Sequence, residues 1–256
     1  MTTPMIKLVD LTKTYRNFKA VDGLSLEVPA GIVFGFLGPN GAGKTTTIRM
    51  MAGVLKPTRG RIELNGYDLA ARPTEAKRLV GFIPDRPYLY EKLTGMEFLR
   101  FIGGLYGMNG GEPPDRKAGE LLELFELSDW SNELIESYSH GMKQRLVMCS
   151  ALLHAPPIII VDEPMVGLDP KAARLVKNIF RQQAEQGTTV FMSTHSLGVA
   201  QEVCDQIAII SKGGIIARGT ARELSERAGV FGDLEETFLK LTREPGGIHE
   251  EPHPVA

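Results

Sequence analysis

The run Gly38-Pro39-Asn40-Gly41-Ala42-Gly43-Lys44-Thr45, followed by Thr46, has the form Gly-x-x-x-x-Gly-Lys-Ser/Thr. Its glycines let the backbone curl so that several N–H groups can face the oxygens of one phosphate, with the positive end of the next helix behind them. Lys44 is spaced to reach β- and γ-phosphates, and the Thr45 hydroxyl to hold Mg²⁺. A second element, Asp162-Glu163, closes the apolar run Ile158 to Val161. There Asp162 suits the metal or one of its waters, and Glu163 suits the polarising of an attacking water. Alone, an acidic pair after a strand reads as a solvated turn; a phosphate loop upstream in the same chain favours the metal-and-base reading. His195, at the end of Phe191-Met192-Ser193-Thr194-His195, reads in isolation as a structural or surface histidine.

Such groups act together only if a scaffold brings their ends to one place. Ile32 to Leu37 is almost wholly apolar, as in a strand buried on both faces, and Thr45 to Ala52 is a helical stretch ended by Gly53. Strand, glycine loop and helix are the context the phosphate chemistry requires. Leu24 to Val28 alternates like a half-buried strand, and Val80 to Ile83, Ile158 to Val161, Thr188 to Met192 and Gln206 to Ile210 are further short β-rich runs. Helical pattern separates them, so the expected class is α/β with a largely parallel sheet. Between Thr94 and His154 the pattern is helical alone, over Met96 to Tyr106, Arg116 to Leu127 and Met142 to Leu153. The expected organisation is one domain over 1–241. Its α/β core comes from 1–90 and 155–220, a helical subdomain from 91–154, and C-terminal helices from 221–241. From Glu244-Pro245-Gly246-Gly247 onward the chain is polar and rich in Pro and Gly, so 242–256 is expected to be a disordered tail. No internal repeat is visible, which implies one copy of the site.

The 256 residues are 43% hydrophobic, ample for a core, and the 29 basic and 31 acidic residues are mixed to a net charge of -2. No global field points to nucleic acid or anionic lipid, and no nucleic-acid partner is expected. Cys149 and Cys204 lie far apart without metal-ligand spacing, which suits reduced thiols in the core. The N-terminal MTTPMIKLVDLTKTY lacks a secretory pattern, and the longest apolar runs are strand-sized. The chain is therefore expected in the cytosol, with any membrane attachment through a partner.

Taken together, the loop, the acidic pair and three further segments resemble the ATP-binding cassette family, from Ile6 to about Leu241. Tyr138-Ser139-His140-Gly141-Met142-Lys143-Gln144-Arg145 resembles its signature segment, usually Leu-Ser-Gly-Gly-Gln. Val166-Gly167-Leu168-Asp169 resembles its D-loop, and His195 its switch histidine. The resemblance implies a phosphate-loop NTPase sheet with an inserted helical subdomain and a short N-terminal antiparallel β part. It also implies hydrolysis of ATP with Mg²⁺. By resemblance His195 would sense the γ-phosphate, and Tyr15 would stack on adenine, although ordinary packing also accounts for that ring. In the family two cassettes enclose two ATP molecules head to tail, each signature completing the other subunit's phosphate loop. Ser139, Gly141 and Asp169 would then serve a partner's nucleotide, and a single cassette implies a dimer, of two copies of this chain in preference to two different chains. Without the family, Ser139 is a helix N-cap. Three positions depart from the pattern: Tyr138, His140 and Met142 replace a leucine, a glycine and a glutamine. His140 would either crowd the γ-phosphate or donate a hydrogen bond to it.

Pro84-Asp85-Arg86-Pro87-Tyr88-Leu89-Tyr90, with Leu93 to Glu97 and Leu234 to Leu239, resembles cassettes of bacterial exporters that pair with separate membrane subunits. The resemblance gives Asp85 the place of a glutamine that touches Mg²⁺ and relays contact to the membrane partner. A purely local reading has Asp85 accepting backbone hydrogen bonds in its turn. Tyr88, Tyr90, Phe98 and Phe101 fall where a coupling helix would dock, with packing inside the helical subdomain the expectation for Phe98 and Phe101. Two other functions stay open: a soluble cassette acting on ribosomes or DNA, and a nucleotide-gated scaffold without turnover.

Overall fold

In the computed structural model residues 4–108, 114–230 and 234–242 are described, and each apolar run picked out above becomes a strand. The chain forms β1 (Ile6–Tyr15), β2 (Phe18–Val28), β3 (Val33–Leu37), α1 (Lys44–Met51), β4 (Arg59–Leu64), β5 (Tyr67–Asp68), α2 (Pro73–Arg78) and β6 (Val80–Ile83). Then come α3 (Gly95–Leu105), α4 (Pro114–Leu124) and α5 (His140–Leu152), with no named strand between them among the described residues. The rest is β7 (Ile158–Asp162), α6 (Pro170–Glu185), β8 (Thr189–Thr194), α7 (Leu197–Val203), β9 (Gln206–Ser211), β10 (Gly214–Gly219), α8 (Ala221–Ala228) and α9 (Leu234–Thr242). The expected disordered tail, apart from Thr242, lies outside the described residues.

A four-stranded antiparallel sheet, in order β2-β1-β4-β5, faces a six-stranded sheet in order β10-β9-β3-β8-β7-β6. In the second sheet β9, β3, β8, β7 and β6 are parallel, and only β10 is antiparallel to its neighbour. Because successive side chains along a strand point to opposite faces, the buried strands feed two cores. Phe34, Phe36, Ile158, Ile160 and Phe191 join the core shared with the antiparallel sheet and α1. Val33, Leu37, Ile159, Val161, Val190 and Met192 join the core shared with α3 to α7. The first is tied by stacked rings, Phe34 on Phe191 at 5.5 Å and 12°. Each fully buried Phe or Ile here contributes about 1.5–3 kcal/mol relative to exposure.

In the helical segment α3, α4 and α5 pack on one another, and α5 lies against β6. Thr94 begins α3 with a capping box: its hydroxyl accepts from Glu97 N–H and the Glu97 carboxylate accepts from Thr94 N–H. Phe98 is buried there as expected, but Phe101 is 42% exposed and meets Tyr90 edge-on at 5.4 Å. The expectation that both rings pack inside is therefore corrected for Phe101, which stands on the outer side of α3. Cys149 and Cys204 are buried free thiols. Burial raises both thiol pKa values, Cys204 to about 12, so neither is a thiolate at neutral pH.

The seam between α5 and β6 depends on Gly81, where an added Cβ would run into the Ala151 carbonyl oxygen and stand 2.9 Å from Pro156 Cγ. Gly81→Ala should destabilise the fold by about 1–3 kcal/mol, because backbone cannot give way as a flexible side chain can. Urea denaturation reads this directly, and an unchanged midpoint would show that α5 and β6 are not tightly seated.

Candidate active site

Parallel strands end at one edge of their sheet, and the groups singled out in the sequence sit at such ends. Leu37 of β3 is in register with Thr194 of β8, Asp162 of β7 with Ser193 of β8, and Ile83 of β6 with Val161 of β7. The loop after β3, Asp85 after β6, Glu163 after β7 and His195 after β8 are thus delivered to the same crevice.

The loop closes into the N-terminus of α1. Gly43, the residue before that helix, has φ 108°, and a Cβ there would strike the Ala20 carbonyl oxygen, so the turn excludes other residues. Thr47 secures the first turn by donating its N–H and its hydroxyl to the Gly43 carbonyl, both at 2.9 Å. Lys44 folds back into the loop, donating to the Gly38 carbonyl at 2.7 Å and the Pro39 carbonyl at 3.2 Å. Burial holds its ammonium below the usual lysine pKa, against the opposing pull of Glu163 and Asp162.

Asp162 is 1% exposed and accepts the Ser193 hydroxyl at 2.6 Å. The same Ser193 Oγ accepts the Glu163 N–H at 3.1 Å, so one buried serine orients both acidic residues. Glu163 stands at φ 53°, a left-handed conformation that costs a glutamate about 1 kcal/mol or more and is held by its surroundings. This backbone turn aims its carboxylate at His195: Glu163 Oε2 lies 2.8 Å from His195 Nδ1 and accepts His195 N–H at 3.3 Å. A carboxylate accepts only, so Nδ1 carries the proton.

A cavity of about 420 Å³ joins these groups. Asn40, Gly41, Gly43, Lys44, Thr45 and Thr46 form its floor, and Asp85, Glu163 and His195 one wall. Tyr15, Phe18 and Ala20 also line it, Ala20 against the loop at Gly43. Tyr15 and Phe18 are a cross-strand pair at the β1–β2 turn, and the Lys13 ammonium lies 5.3 Å from the Tyr15 ring. Phe18 is 62% exposed, and no local motif marked it in the sequence. Asp85 does face the cavity; its Oδ1 also lies 3.7 Å from Arg49 Nη2.

Of the remaining site candidates, Gly38, Pro39 and Ala42 belong to the loop but do not line the cavity, and Asp162 lies buried beneath it. Ser139, Gly141 and Asp169 are absent from its walls. Ser139 is the N-cap of α5, its hydroxyl accepting Met142 N–H at 3.3 Å, and Asp169 caps α6 by accepting Ala172 N–H at 2.8 Å. The two segments touch within the chain: a Cβ on Gly167 would lie 2.8 Å from His140 Nε2, and one on Gly141 would lie 3.6 Å from the Gly167 carbonyl.

The donor set suits a Mg²⁺ ion. Among the described residues no three His, Cys, Asp or Glu side chains cluster as a metal cage. One hydroxyl with one or two carboxylates beside a phosphate-binding loop is the arrangement in which phosphate oxygens and water complete an octahedral shell.

Residues 21–166 match the family described as ABC transporter. The daunorubicin/doxorubicin resistance ATP-binding protein DrrA of Streptomyces peucetius is 40% identical over 89% of this chain and 68% of that protein. A solved ATP-binding subunit of an ABC transporter superposes with a TM-score of 0.88 at 34% identity, covering 93% of this chain and all of that one. A dimeric post-hydrolysis ATP-binding cassette bound to ADP and Pi superposes at 0.77 with 27% identity, covering 84% of this chain and 98% of that one.

Proposed function

Because the chain belongs to the ABC transporter family, we propose that it is the ATP-hydrolysing subunit of an exporter, driving a separate membrane subunit as half of a nucleotide-gated dimer. One observation carries the chemistry. A glycine loop, a buried Asp162, a strained Glu163 and His195 meet at the edge of one parallel sheet, around a cavity that Tyr15 and Phe18 also line.

ATP fits that cavity with its base at Tyr15 and Phe18 and its phosphates along the loop. Lys44 exchanges its two carbonyl partners for β- and γ-phosphate oxygens, which relieves the unfavourable burial of its charge. Thr45 and Asp162, with Asp85, would hold Mg²⁺, which would supply positive charge against that developing on the phosphates. Glu163 polarises the attacking water and takes its proton. With Nδ1 facing Glu163, the other ring nitrogen of His195, Nε2, is left for the γ-phosphate.

Ser139, Gly141 and Asp169 are outside the chain's own cavity, which fits their serving a second subunit's nucleotide. His140, the departure from the signature pattern, lies against Gly167, where the lack of a side chain makes room for the imidazole. That accommodation within the subunit supports an active site in place of an inert scaffold.

Among the described residues no helix is long and apolar enough to cross a membrane. Tyr88 and Tyr90, 77% and 60% exposed beside Phe101, offer an aromatic surface for the membrane subunit, which would hold the chain at the inner face of the cell membrane. A drug-resistance relative favours export. The test joins Mg²⁺-dependent ATPase activity with affinity capture from native membranes. Turnover together with a polytopic partner supports the proposal; turnover with only ribosomal or DNA-bound partners replaces it by a soluble cassette.

Phe18 supplies a further prediction. Base–aromatic stacking is worth about 1–3 kcal/mol. Phe18→Ala should therefore weaken ATP binding roughly fivefold or more while leaving inorganic tripolyphosphate binding unchanged. Equal weakening for both would place Phe18 outside base recognition.

A further inference from the structure

The phosphate-loop helix carries a cation whose place is explained by neither the loop nor the core. Arg49 follows Thr45 by four positions on α1, so the two side chains share one face of the helix, about 6 Å apart along its axis. Asp85, which lines the nucleotide cavity together with Thr45, meets Arg49 with Nη2 3.7 Å from Oδ1. We infer that Arg49 is a positioning residue that holds the Asp85 carboxylate one helical turn away from Thr45 in the nucleotide-free chain, and that binding of the metal nucleotide draws Asp85 off it. This rests on the proposed function above.

The geometry carries the exchange. At 3.7 Å the contact is an ion pair beyond hydrogen-bond distance, and its side chains are 47% and 35% exposed. Pairs of this kind are weak, so the carboxylate is held without being locked. A divalent ion at Thr45 offers twice the charge of a guanidinium and lies within a short swing of the same carboxylate. Asp85 also heads the segment that runs through the exposed Tyr88 and Tyr90 to α3, whereas Arg49 stands on the exposed side of α1, whose other face is buried.

The competition has a sign. With Arg49 removed, Mg²⁺ need not displace a cation, so Arg49→Gln should lower the Mg²⁺ concentration that half-saturates binding of a non-hydrolysable ATP analogue, by about two- to fivefold for a pair of this exposure. Asp85→Asn should raise it, and Arg49→Gln should then add nothing to Asp85→Asn. Arg49→Lys should stay near the parent value. Calorimetric titration of the analogue at graded Mg²⁺, with Mn²⁺ binding read by electron paramagnetic resonance, measures this without turnover. The inference is overturned if Arg49→Gln leaves the Mg²⁺ requirement unchanged or raises it, or if its effect persists in the Asp85→Asn background. Failure of the parent chain to bind the analogue at any Mg²⁺ concentration would instead overturn the proposed function.

Discussion

Replacing Lys44 by alanine will abolish tight ATP binding and lower turnover by at least about a hundredfold, while the nucleotide-free fold changes little. The lysine is 7% exposed and held inside its loop by the Gly38 and Pro39 carbonyls. Its folded pKa lies below the unfolded value because burial disfavours the charge. A lysine with a depressed folded pKa costs stability wherever the unfolded chain keeps it protonated, which includes the whole neutral range. Truncation removes that cost together with two hydrogen bonds of about 1 kcal/mol each, so the effects oppose one another. The melting temperature without nucleotide should then move by no more than about 2–4 °C, the shift that 1 kcal/mol gives in a chain of this size. With MgATP the parent should gain stability as RT ln(1 + [L]/Kd), about 2.7 kcal/mol at a hundredfold excess over Kd, and the variant should gain none. Near-normal turnover by Lys44→Ala would remove the loop from the site. A collapse of its melting temperature would trace the loss to folding.

Much of this site is readable in one dimension because each of its parts is a short run attached to a strand. The glycine loop, Asp162-Glu163 and His195 follow β3, β7 and β8, and a parallel sheet gathers such ends without further specification. What could not be read depends on register or on backbone conformation. Ser193 serves both acidic residues only because β7 and β8 pair Asp162 with Ser193. Phe18 joins Tyr15 only through the turn between β1 and β2, and Arg49 meets Asp85 only after β6 has paired with β7, against which α1 packs. β1 itself conceals its pattern. Ile6 and Leu8 alternate, but a bulge that includes Asp10 at φ 47° shifts the next buried residue to Leu11 and breaks the period of two. On α3, three positions separate Phe98 from Phe101, which keeps them near one face by spacing. Only the arrangement of α4 and α5 decides that Phe98 is covered and Phe101 is not.

Glu163→Gln will bind ATP as tightly as the parent or more tightly, hydrolyse it about 10²- to 10⁴-fold more slowly, and accumulate as an ATP-held dimer. The substitution keeps side-chain shape, and glutamine meets the same backbone demand at φ 53° as glutamate does, so Ser193 still anchors the Glu163 N–H position. What it removes is a group able to take up a proton and a negative charge beside the γ-phosphate. Losing the first slows chemistry; losing the second lowers repulsion toward ATP. A side-chain carbonyl can still accept from His195 Nδ1, where Oε2 now stands 2.8 Å away, so the histidine keeps its orientation. Glu163→Ala lacks that acceptor and should bind ATP less well, which separates loss of the base from loss of the scaffold around it. If ATP closes two subunits and hydrolysis reopens them, slowing hydrolysis alone must shift the population toward the closed dimer. Light scattering after size exclusion in Mg²⁺ and ATP should show about twice the monomer mass for Glu163→Gln, and the monomer when ATP is replaced by ADP. A strictly monomeric variant that still hydrolyses rapidly would show that Glu163 is not the base and that ATP does not hold the dimer.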